Sequence, residues 1–231
     1  MQQPIISDRD KSQLKRSFRK DLKGPVQLRL FTQRQSVITV PGRECPSCPQ
    51  TQQLMEELAS LSPKINLETV DFYGEPQRAR DSGVTRIPAV VLSNDSTSRA
   101  KFYGSPMGYE VVTIVDGIKA ISRGVSPLSM DTRKKLRQVS QDVHIQVFVT
   151  QTDSNCPSLA RLAHAMALDC PFINADVVVI QEFPALARTY GVRSVPSTVI
   201  NEYIRFSGVV TESELLEKVL QAGVREPQER G

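Results

Sequence analysis

The stretch Cys45-Pro46-Ser47-Cys48-Pro49 decides the fold, because Asp153-Ser154-Asn155-Cys156-Pro157 repeats its pattern 108 residues later. A second pair of segments has the same offset, Gly83-Val84-Thr85-Arg86-Ile87-Pro88 and Gly191-Val192-Arg193-Ser194-Val195-Pro196. Two matches at one offset, the second pair ending in a hydrophobic residue and proline, indicate a duplicated unit. The first copy carries two cysteines at CxxC spacing, and the second has aspartate in place of the first cysteine.

The length fits two units. The 231 residues suit two domains of ordinary size, each able to bury its own core. Glycine and proline in Arg123-Gly124-Val125-Ser126-Pro127 break the helical patterns on both sides. We therefore predict one unit over residues 1–123 and a second over residues 124–231.

The composition is typical of a globular protein without a membrane span. Hydrophobic residues make up 39% of the chain and charged residues 23%, and no apolar run approaches the ~20 residues that a spanning helix needs. The first residues lack the basic start and apolar core of a secretory signal, so we expect a cytoplasmic protein with no membrane partner. The net charge of +4 comes from scattered lysines and arginines, which predicts no nucleic acid partner.

The same order of elements is predicted twice, and it indicates an α/β fold. Each unit has a leading helix, a strand, a helix after the motif, a second strand, a short helix, a hairpin that begins at the hydrophobic-proline pair, and a closing helix. The first unit has about ten extra residues before Cys45, including the insertion 33–42. Either Ser36 to Val40 is an added strand, or it is the equivalent strand and Leu28 to Thr32 is the extra one.

The CxxC pair predicts thiol–disulfide chemistry. A thiol is a weak nucleophile until it ionises, and the free N–H groups and dipole at a helix start lower the pKa of a cysteine from ~8.5 to between roughly 3.5 and 7.5. We place Cys45 at such a start, as the attacking residue. Cys48, one helical turn on, is then the resolving residue that attacks a mixed disulfide at Cys45. The flanking Arg43 should favour the thiolate and Glu44 should oppose it.

A zinc site is the main alternative for this pair. It would need two further ligands, and the second unit holds all the remaining cysteines and histidines: Cys156, Cys170, His144 and His164. We therefore favour redox chemistry and predict no metal.

The proline after Ile87 is a further feature of the predicted site. A strand that opens with Pro88 is a candidate for a cis peptide bond, which would leave backbone groups free to bind an extended substrate beside the active sulfur. Proline alone favours the trans form. The pairing with the cysteine motif, repeated as Val195 and Pro196 at the same spacing, favours cis.

Together these residues resemble the protein disulfide oxidoreductases of thermophilic archaea and bacteria, glutaredoxin-like proteins built from two tandem thioredoxin folds. Three further strings add to the resemblance: Phe102-Tyr103-Gly104-Ser105-Pro106-Met107-Gly108-Tyr109-Glu110, Ile121-Ser122-Arg123 and Asp142-Val143-His144-Ile145-Gln146-Val147-Phe148-Val149-Thr150. The resemblance covers nearly the whole chain. It implies two thioredoxin-like units, each with a central mixed sheet flanked by helices, packed in a four-layer αββα arrangement.

The resemblance also implies a function. It predicts a protein disulfide oxidoreductase that acts on protein or small disulfide substrates through Cys45 and Cys48, with Ile87 and Pro88 binding substrate and no cofactor beyond the cysteines. An electron donor of the thioredoxin reductase kind is a further expected partner. Two alternatives stay open: a redox-responsive adaptor or chaperone-like module, and an electron relay to one dedicated partner such as a peroxidase.

The second motif departs from this family, whose members carry a CxxC in each unit. Asp153 cannot form a disulfide, although the helix start can stabilise its carboxylate as an N-cap. We therefore predict a catalytically silent, accessory second unit with a degenerate site of Asp153, Cys156, Val195 and Pro196. For Cys156 we favour a buried inert thiol over a disulfide to Cys170 or a monothiol role.

Two further residues are weaker candidates for a catalytic role. His164 lies near apolar positions of the helix after the degenerate motif, which favours a hydrogen-bonded histidine at an interface over a catalytic one. Asp71, at the end of a strand, is a weak candidate for carrying a proton to or from Cys48.

Overall fold

The computed structural model describes residues 3–34, 41–94 and 97–224. In chain order its helices and strands are α1 (Asp8–Asp21), β1 (Val26–Thr32), α2 (Cys48–Ser60), β2 (Ile65–Asp71), α3 (Pro76–Asp81), β3 (Ala89–Asn94), β4 (Thr97–Tyr103), α4 (Val111–Arg123), α5 (Met130–Leu136), β5 (Val143–Val149), α6 (Cys156–Asp169), β6 (Ile173–Val179), α7 (Pro184–Thr189), β7 (Ser197–Ile200), β8 (Ile204–Ser207) and α8 (Glu212–Gly223). A 3₁₀ turn, Gly108–Glu110, precedes α4. The predicted order of elements is thus present in both units.

One eight-stranded sheet runs through both units, in the order β2-β1-β3-β4-β6-β5-β7-β8. Within each unit the first two strands are parallel and the rest antiparallel. The units meet edge to edge, where β4 pairs in parallel with β6 and Phe102 is opposite Val177. The predicted four-layer arrangement is therefore wrong. Helices already cover the faces of each half-sheet, so the edge backbone groups of β4 and β6 satisfy each other instead.

Alternation along the strands separates the core into two parts. Leu28 and Leu30 of β1 pack on one face of the sheet, and Phe31 packs on the other. The larger part holds residues of the longer helices, such as Leu54 of α2 and Ile118 of α4. The smaller part includes Ala79 of α3. The sheet thus lies between a layer of long helices and a layer that contains the short α3 and α7.

The structure decides which strand of the first unit is equivalent to β5 of the second. Strand β1 pairs with both β2 and β3, as β5 pairs with β6 and β7. It is therefore the equivalent strand of the first unit, and the interpretation of Leu28 to Thr32 as the extra strand is wrong. The predicted strand Ser36 to Val40 lies outside the described residues. The division of the chain at residue 123 stays a prediction, although α4 does end at Arg123, with Gly124 in the left-handed conformation.

Candidate functional site

The two cysteines of the first motif are joined by a disulfide, with their Cα atoms 5.3 Å apart. Helix α2 begins at Cys48, after a turn closed by the Cys48 N–H and the Cys45 carbonyl at 3.1 Å. Cys45 therefore precedes the first helical residue rather than starting the helix. Its side chain is half-buried, whereas Cys48 is only 2% exposed. Of the pair, Cys45 is thus the sulfur that solvent can reach.

The two proline positions have the same geometry in both units. The Ile87–Pro88 and Val195–Pro196 peptide bonds are both cis, as predicted. The Pro88 carbonyl accepts a hydrogen bond from Gly104 N at 2.8 Å, and Pro196 accepts one from Gly208 N at the same distance. Pairing between β1 and β3 stops at Phe31 and Ala89. Ile87 therefore lies just beyond the paired part of the sheet.

A hydrogen-bonded path connects Pro88 with the cysteine motif and passes through the second unit. Next to Gly104, the backbone N–H of Ser105 donates to Glu182 Oε1 at 2.7 Å. The other oxygen, Glu182 Oε2, accepts a hydrogen bond from Ser47 Oγ, between the two cysteines. The structure thus brings the CxxC motif and the cis-proline loop together at one end of the sheet. Glu182, which follows β6, completes this site.

The charged residues flanking the motif are both exposed. The Arg43 guanidinium lies 4.7 Å from the centre of the Tyr73 ring. The Glu44 carboxylate accepts a hydrogen bond from Gly42 N at 3.0 Å. Asp71 accepts one from Tyr73 N at 3.2 Å, within its own loop. The carboxylate that contacts the cysteine motif is therefore Glu182, not Asp71.

The second motif keeps the turn but has a different chemistry. Asp153 Oδ1 accepts a hydrogen bond from Asn155 N at 2.8 Å, and α6 begins at Cys156. The N-cap position belongs to Asn155, so the predicted role of Asp153 as the N-cap is wrong, and its carboxylate instead bonds within the turn before α6. Burial of Cys156 raises the pKa of its thiol to about 11.

The remaining cysteine residues behave as buried thiols. Cys156 and Cys170 are both free, and both side chains are buried. Burial also raises the pKa of Cys170. The favoured interpretation of Cys156 as a buried thiol, and not a disulfide partner of Cys170, is confirmed.

Two buried titratable residues lie where the units meet. His164 Nε2 is 3.0 Å from the Lys101 carbonyl, which can only accept, so Nε2 carries the hydrogen. Burial lowers the pKa of His164 to about 4, and the prediction of a hydrogen-bonded interfacial histidine is confirmed. Glu110 is fully buried, accepts a hydrogen bond from Thr113 Oγ1 at 2.7 Å, and has its pKa raised by burial to about 7.

Sequence reasoning missed the roles of Glu110 and Glu182. Glu110 ended a string noted for its resemblance, but nothing in that string showed that its side chain would be buried. Glu182 had no signal in the repeat, because the residue at the same offset in the first unit is Gly74. Both side chains owe their surroundings to contacts between distant parts of the chain.

No metal or membrane site emerges from the described part of the chain. Residues 3–34, 41–94 and 97–224 contain no cluster of three or more histidine, cysteine, aspartate or glutamate side chains that could hold a metal ion. Within the same ranges, no helix combines the length and apolar character needed to cross a bilayer.

Comparison with known proteins agrees with this geometry. A family model described as "Thioredoxin domain" matches twice, over residues 36–115 and 143–221. The chain belongs to the thioredoxin domain family. The tandem thioredoxin folds predicted from the sequence are therefore confirmed.

Two solved structures with tandem thioredoxin folds resemble this member of the family along nearly its whole length. A protein disulfide oxidoreductase from Aeropyrum pernix K1 has a TM-score of 0.84 and 27% identity, covering 94% of this chain and 93% of that one. The NTD_N/C domain of alkylhydroperoxide reductase AhpF from Enterococcus faecalis has a TM-score of 0.82 and 26% identity, covering 93% and 99%. The resemblance stated from the sequence is confirmed.

Curated relatives are longer proteins. An NADH dehydrogenase from Bacillus subtilis is 23% identical over 79% of this chain and 34% of its own length. The alkyl hydroperoxide reductase AhpF of Escherichia coli is 21% identical over 74% of this chain and 31% of its own length. This thioredoxin-family chain spans about a third of these relatives, whose names are those of oxidoreductases.

Proposed function

We propose that the chain is a thiol–disulfide oxidoreductase that uses the Cys45–Cys48 pair, with a catalytically silent second unit. The observation that carries this proposal is the Cys45–Cys48 disulfide itself, in which one sulfur is half-buried and the other is enclosed. A half-buried first cysteine and a buried second one suit the two-step exchange, because the first sulfur must contact the substrate and the second must contact only the first.

The exchange starts from the reduced dithiol. The Cys45 thiolate attacks a substrate disulfide, forming a mixed disulfide and releasing one substrate sulfur as a thiolate that takes up a proton. Cys48, once deprotonated, attacks Cys45 Sγ, which forms the Cys45–Cys48 disulfide and releases the second substrate thiolate. Two electrons pass from the chain to the substrate, and the reverse sequence oxidises a substrate dithiol.

Ile87 and Pro88 are proposed to bind substrate in this reaction. Ile87 lies beyond the paired end of β3, and the Pro88 carbonyl is already bonded to Gly104. An extended segment of a protein substrate would therefore pair with the backbone at Ile87, in the manner of an added strand. Residues 1–123 would hold this chemistry, while residues 124–231 would shape the site without a disulfide of their own.

The first test is the reduction of insulin by dithiothreitol, catalysed by the wild type, Cys45→Ser and Cys156→Ser. We expect turnover in the wild type, a loss of at least about a hundredfold in Cys45→Ser because a serine hydroxyl does not ionise near neutral pH, and a change within about twofold in Cys156→Ser. A wild type no faster than dithiothreitol alone would contradict a general oxidoreductase and favour either a relay to one specific redox partner or the redox-responsive adaptor.

The second candidate function is an electron relay to a peroxidase. It is favoured by the likeness to several alkyl hydroperoxide reductases of the AhpF kind, at 72–75% coverage of this chain. The probe is a two-cysteine peroxidase in its disulfide form, mixed with the reduced chain. Reduction of this protein at least about tenfold faster than insulin would assign the relay, and equal rates would favour a broad substrate range.

A further inference from the structure

Glu182 of the second unit is fixed against the first unit by both of its carboxylate oxygens. Oε2 accepts the Ser47 hydroxyl hydrogen, and Oε1 accepts the Ser105 N–H at 2.7 Å. A side chain that accepts two hydrogen bonds, one at each oxygen, is used as a carboxylate. The negative charge therefore sits against the residue that separates the two cysteines.

The backbone of the first unit passes close to this carboxylate. Gly104 has a φ of +96°, and a Cβ atom there would lie 3.1 Å from Glu182 Oε1 and 2.8 Å from Val179 Cβ. A larger residue at position 104 would push the two units apart. The close approach keeps Glu182 within hydrogen-bonding distance of Ser47. The first unit has Gly74 at the position equivalent to Glu182, so only the second unit carries this carboxylate.

Three other charged residues surround the motif and this carboxylate: Arg43, Glu44 and Arg86. The Arg43 guanidinium is stacked on Tyr73, and Glu44 adds a second negative charge. Arg86 lies over the ring of Phe183, next to Glu182 in sequence, at 5.8 Å. Ser47 has the one hydroxyl between the cysteines, and its hydrogen points to Glu182 rather than to a sulfur.

We propose that Glu182 is a positioning residue that tunes the reactivity of the Cys45–Cys48 pair from the second unit. Its charge disfavours the thiolate of the reduced pair, and it withholds the Ser47 hydroxyl that would otherwise donate to that thiolate. The reduced dithiol is thereby less stabilised and is a stronger reductant. This inference rests on the proposed role of Cys45 as the nucleophile, and it gives the silent second unit a task in the chemistry.

The test follows alkylation of Cys45 by iodoacetamide against pH in the reduced full-length chain, with the modified residue identified by mass spectrometry. Glu182→Gln keeps the size of the side chain, removes the charge, and keeps one oxygen to accept the Ser105 N–H, with an NH₂ group in place of the oxygen that accepts from Ser47. We expect the midpoint pH of alkylation to fall by about one unit, a tenfold gain in thiolate at lower pH. A tenfold stabilisation of the reduced pair corresponds to a rise of about 30 mV in reduction potential, measured against glutathione.

Two more variants sharpen the test. Ser47→Ala leaves the second unit untouched and removes one of the two donors to Glu182. The negative charge is then less compensated, so the midpoint pH of alkylation should rise instead, by about half a unit. Glu212→Gln is the matched control, because Glu212 is also a second-unit carboxylate that accepts a backbone N–H, from Ser129 at 2.9 Å. It should shift neither the midpoint nor the potential.

The inference would be overturned by an unchanged midpoint and potential in folded Glu182→Gln, or by a fall of the midpoint in Ser47→Ala. A shift of the same size in Glu212→Gln would do so as well, since the effect would then be one of general charge. Lack of insulin turnover in the wild type would instead count against the proposed function alone, because alkylation reports on the thiol without any protein substrate.

Discussion

The two motifs begin equivalent helices but differ in what they contact. Cys48 starts α2 and Cys156 starts α6, each followed by proline, and each unit has its cis-proline. Ser47 bonds to Glu182 of the other unit, whereas the backbone N–H of Asn155 bonds to Asp153 of its own motif. One motif is therefore built across the junction between units, and the other satisfies itself locally.

This difference teaches that loss of one cysteine is compatible with an intact fold. The second unit keeps its helix start, and the Asp153 carboxylate accepts one N–H, that of Asn155, in the turn before it. The second unit also contacts the first unit at two places. Strand β6 pairs with β4, and the turn after β6 contacts the first motif. Under the proposed function, the second unit would thus carry out no exchange of its own and would shape the site of the unit that does.

The largest expected effect comes from exchanging the two motifs. In the double variant Cys45→Asp/Asp153→Cys the cysteine pair sits in the second unit. Burial is the largest of the causes that raise the pKa of Cys156 in the wild type, and it persists when the charge of Asp153, a smaller cause, is removed. Little of this thiol should be ionised at pH 7, so resolution of a mixed disulfide should be slow. We expect insulin reduction at no more than about a tenth of the wild-type rate.

The double variant has a direct control. Cys45→Asp alone measures the background, and mass spectrometry of the oxidised double variant shows whether a disulfide forms between positions 153 and 156. Wild-type turnover in the double variant would contradict the comparison, because the surroundings of the two motifs would then support catalysis equally well and only the missing cysteine would separate the units.

The next effect concerns stability at the junction and its dependence on pH. Burial raises the pKa of Glu110 from 4.5 to about 7, so the stability linked to its protonated form is full below pH 4.5 and is lost as pH rises through 7. The loss amounts to about 3 kcal/mol. Glu110→Gln should remove it, so the variant should gain stability over the wild type at pH 8 and not at pH 4.5, in urea unfolding.

The stability of Glu110→Gln must be compared with that of the wild type at each pH, because His164 titrates in an overlapping range. Its pKa of about 4 lies below the ordinary 6.5, so its contribution is present above pH 6.5 and is lost as pH falls through 4. The two residues act in opposite directions between pH 4.5 and 6.5, and a wild-type curve alone would hide both. An equal stability difference at pH 4.5 and pH 8 would refute the assignment to Glu110.

The smallest expected effect compares two cation–π pairs. Arg86 is half-buried, with its guanidinium 5.1 Å from the centre of the Tyr103 ring and 5.8 Å from that of Phe183 across the junction. Arg205 of the second unit is exposed and lies 5.9 Å from Tyr190. We expect Arg86→Met to cost about 1 to 2 kcal/mol and Arg205→Met about 0.5 kcal/mol or less, measured by urea unfolding. Equal costs would show that the contact across the junction adds nothing.

Much of this architecture could be predicted from the residues. A single offset placed both motifs and both cis-prolines, because these features depend on local chemistry that the repeat displays twice, whereas α2 begins at Cys48 and not at Cys45 as predicted. Whether Leu28 to Thr32 was the extra strand could not be decided, since strand identity depends on pairing with β2 and β3. Alternating apolar residues look the same in a central strand and in an added hairpin.

The joining of the units and the contact of Glu182 were beyond the reach of the sequence. The four-layer expectation failed because a strand's pattern reports which faces are buried but not which edge finds a partner. Glu182 lies 135 residues from Ser47 and has a glycine at its repeat position. An asymmetric contact between two copies leaves no trace in the symmetry that reveals the copies.

The pairing of β4 with β6 joins unlike edges of two similar units, and such a head-to-tail contact does not close on itself. Among the described strands β2 and β8 end the sheet, and they are edges of the same two kinds. Strand β8 has four residues where β4 has seven, and Arg205 on it is exposed. A short, charged terminal strand discourages further addition. The short β8 is thus less suited than β4 to pair with an edge strand of a further copy of the chain.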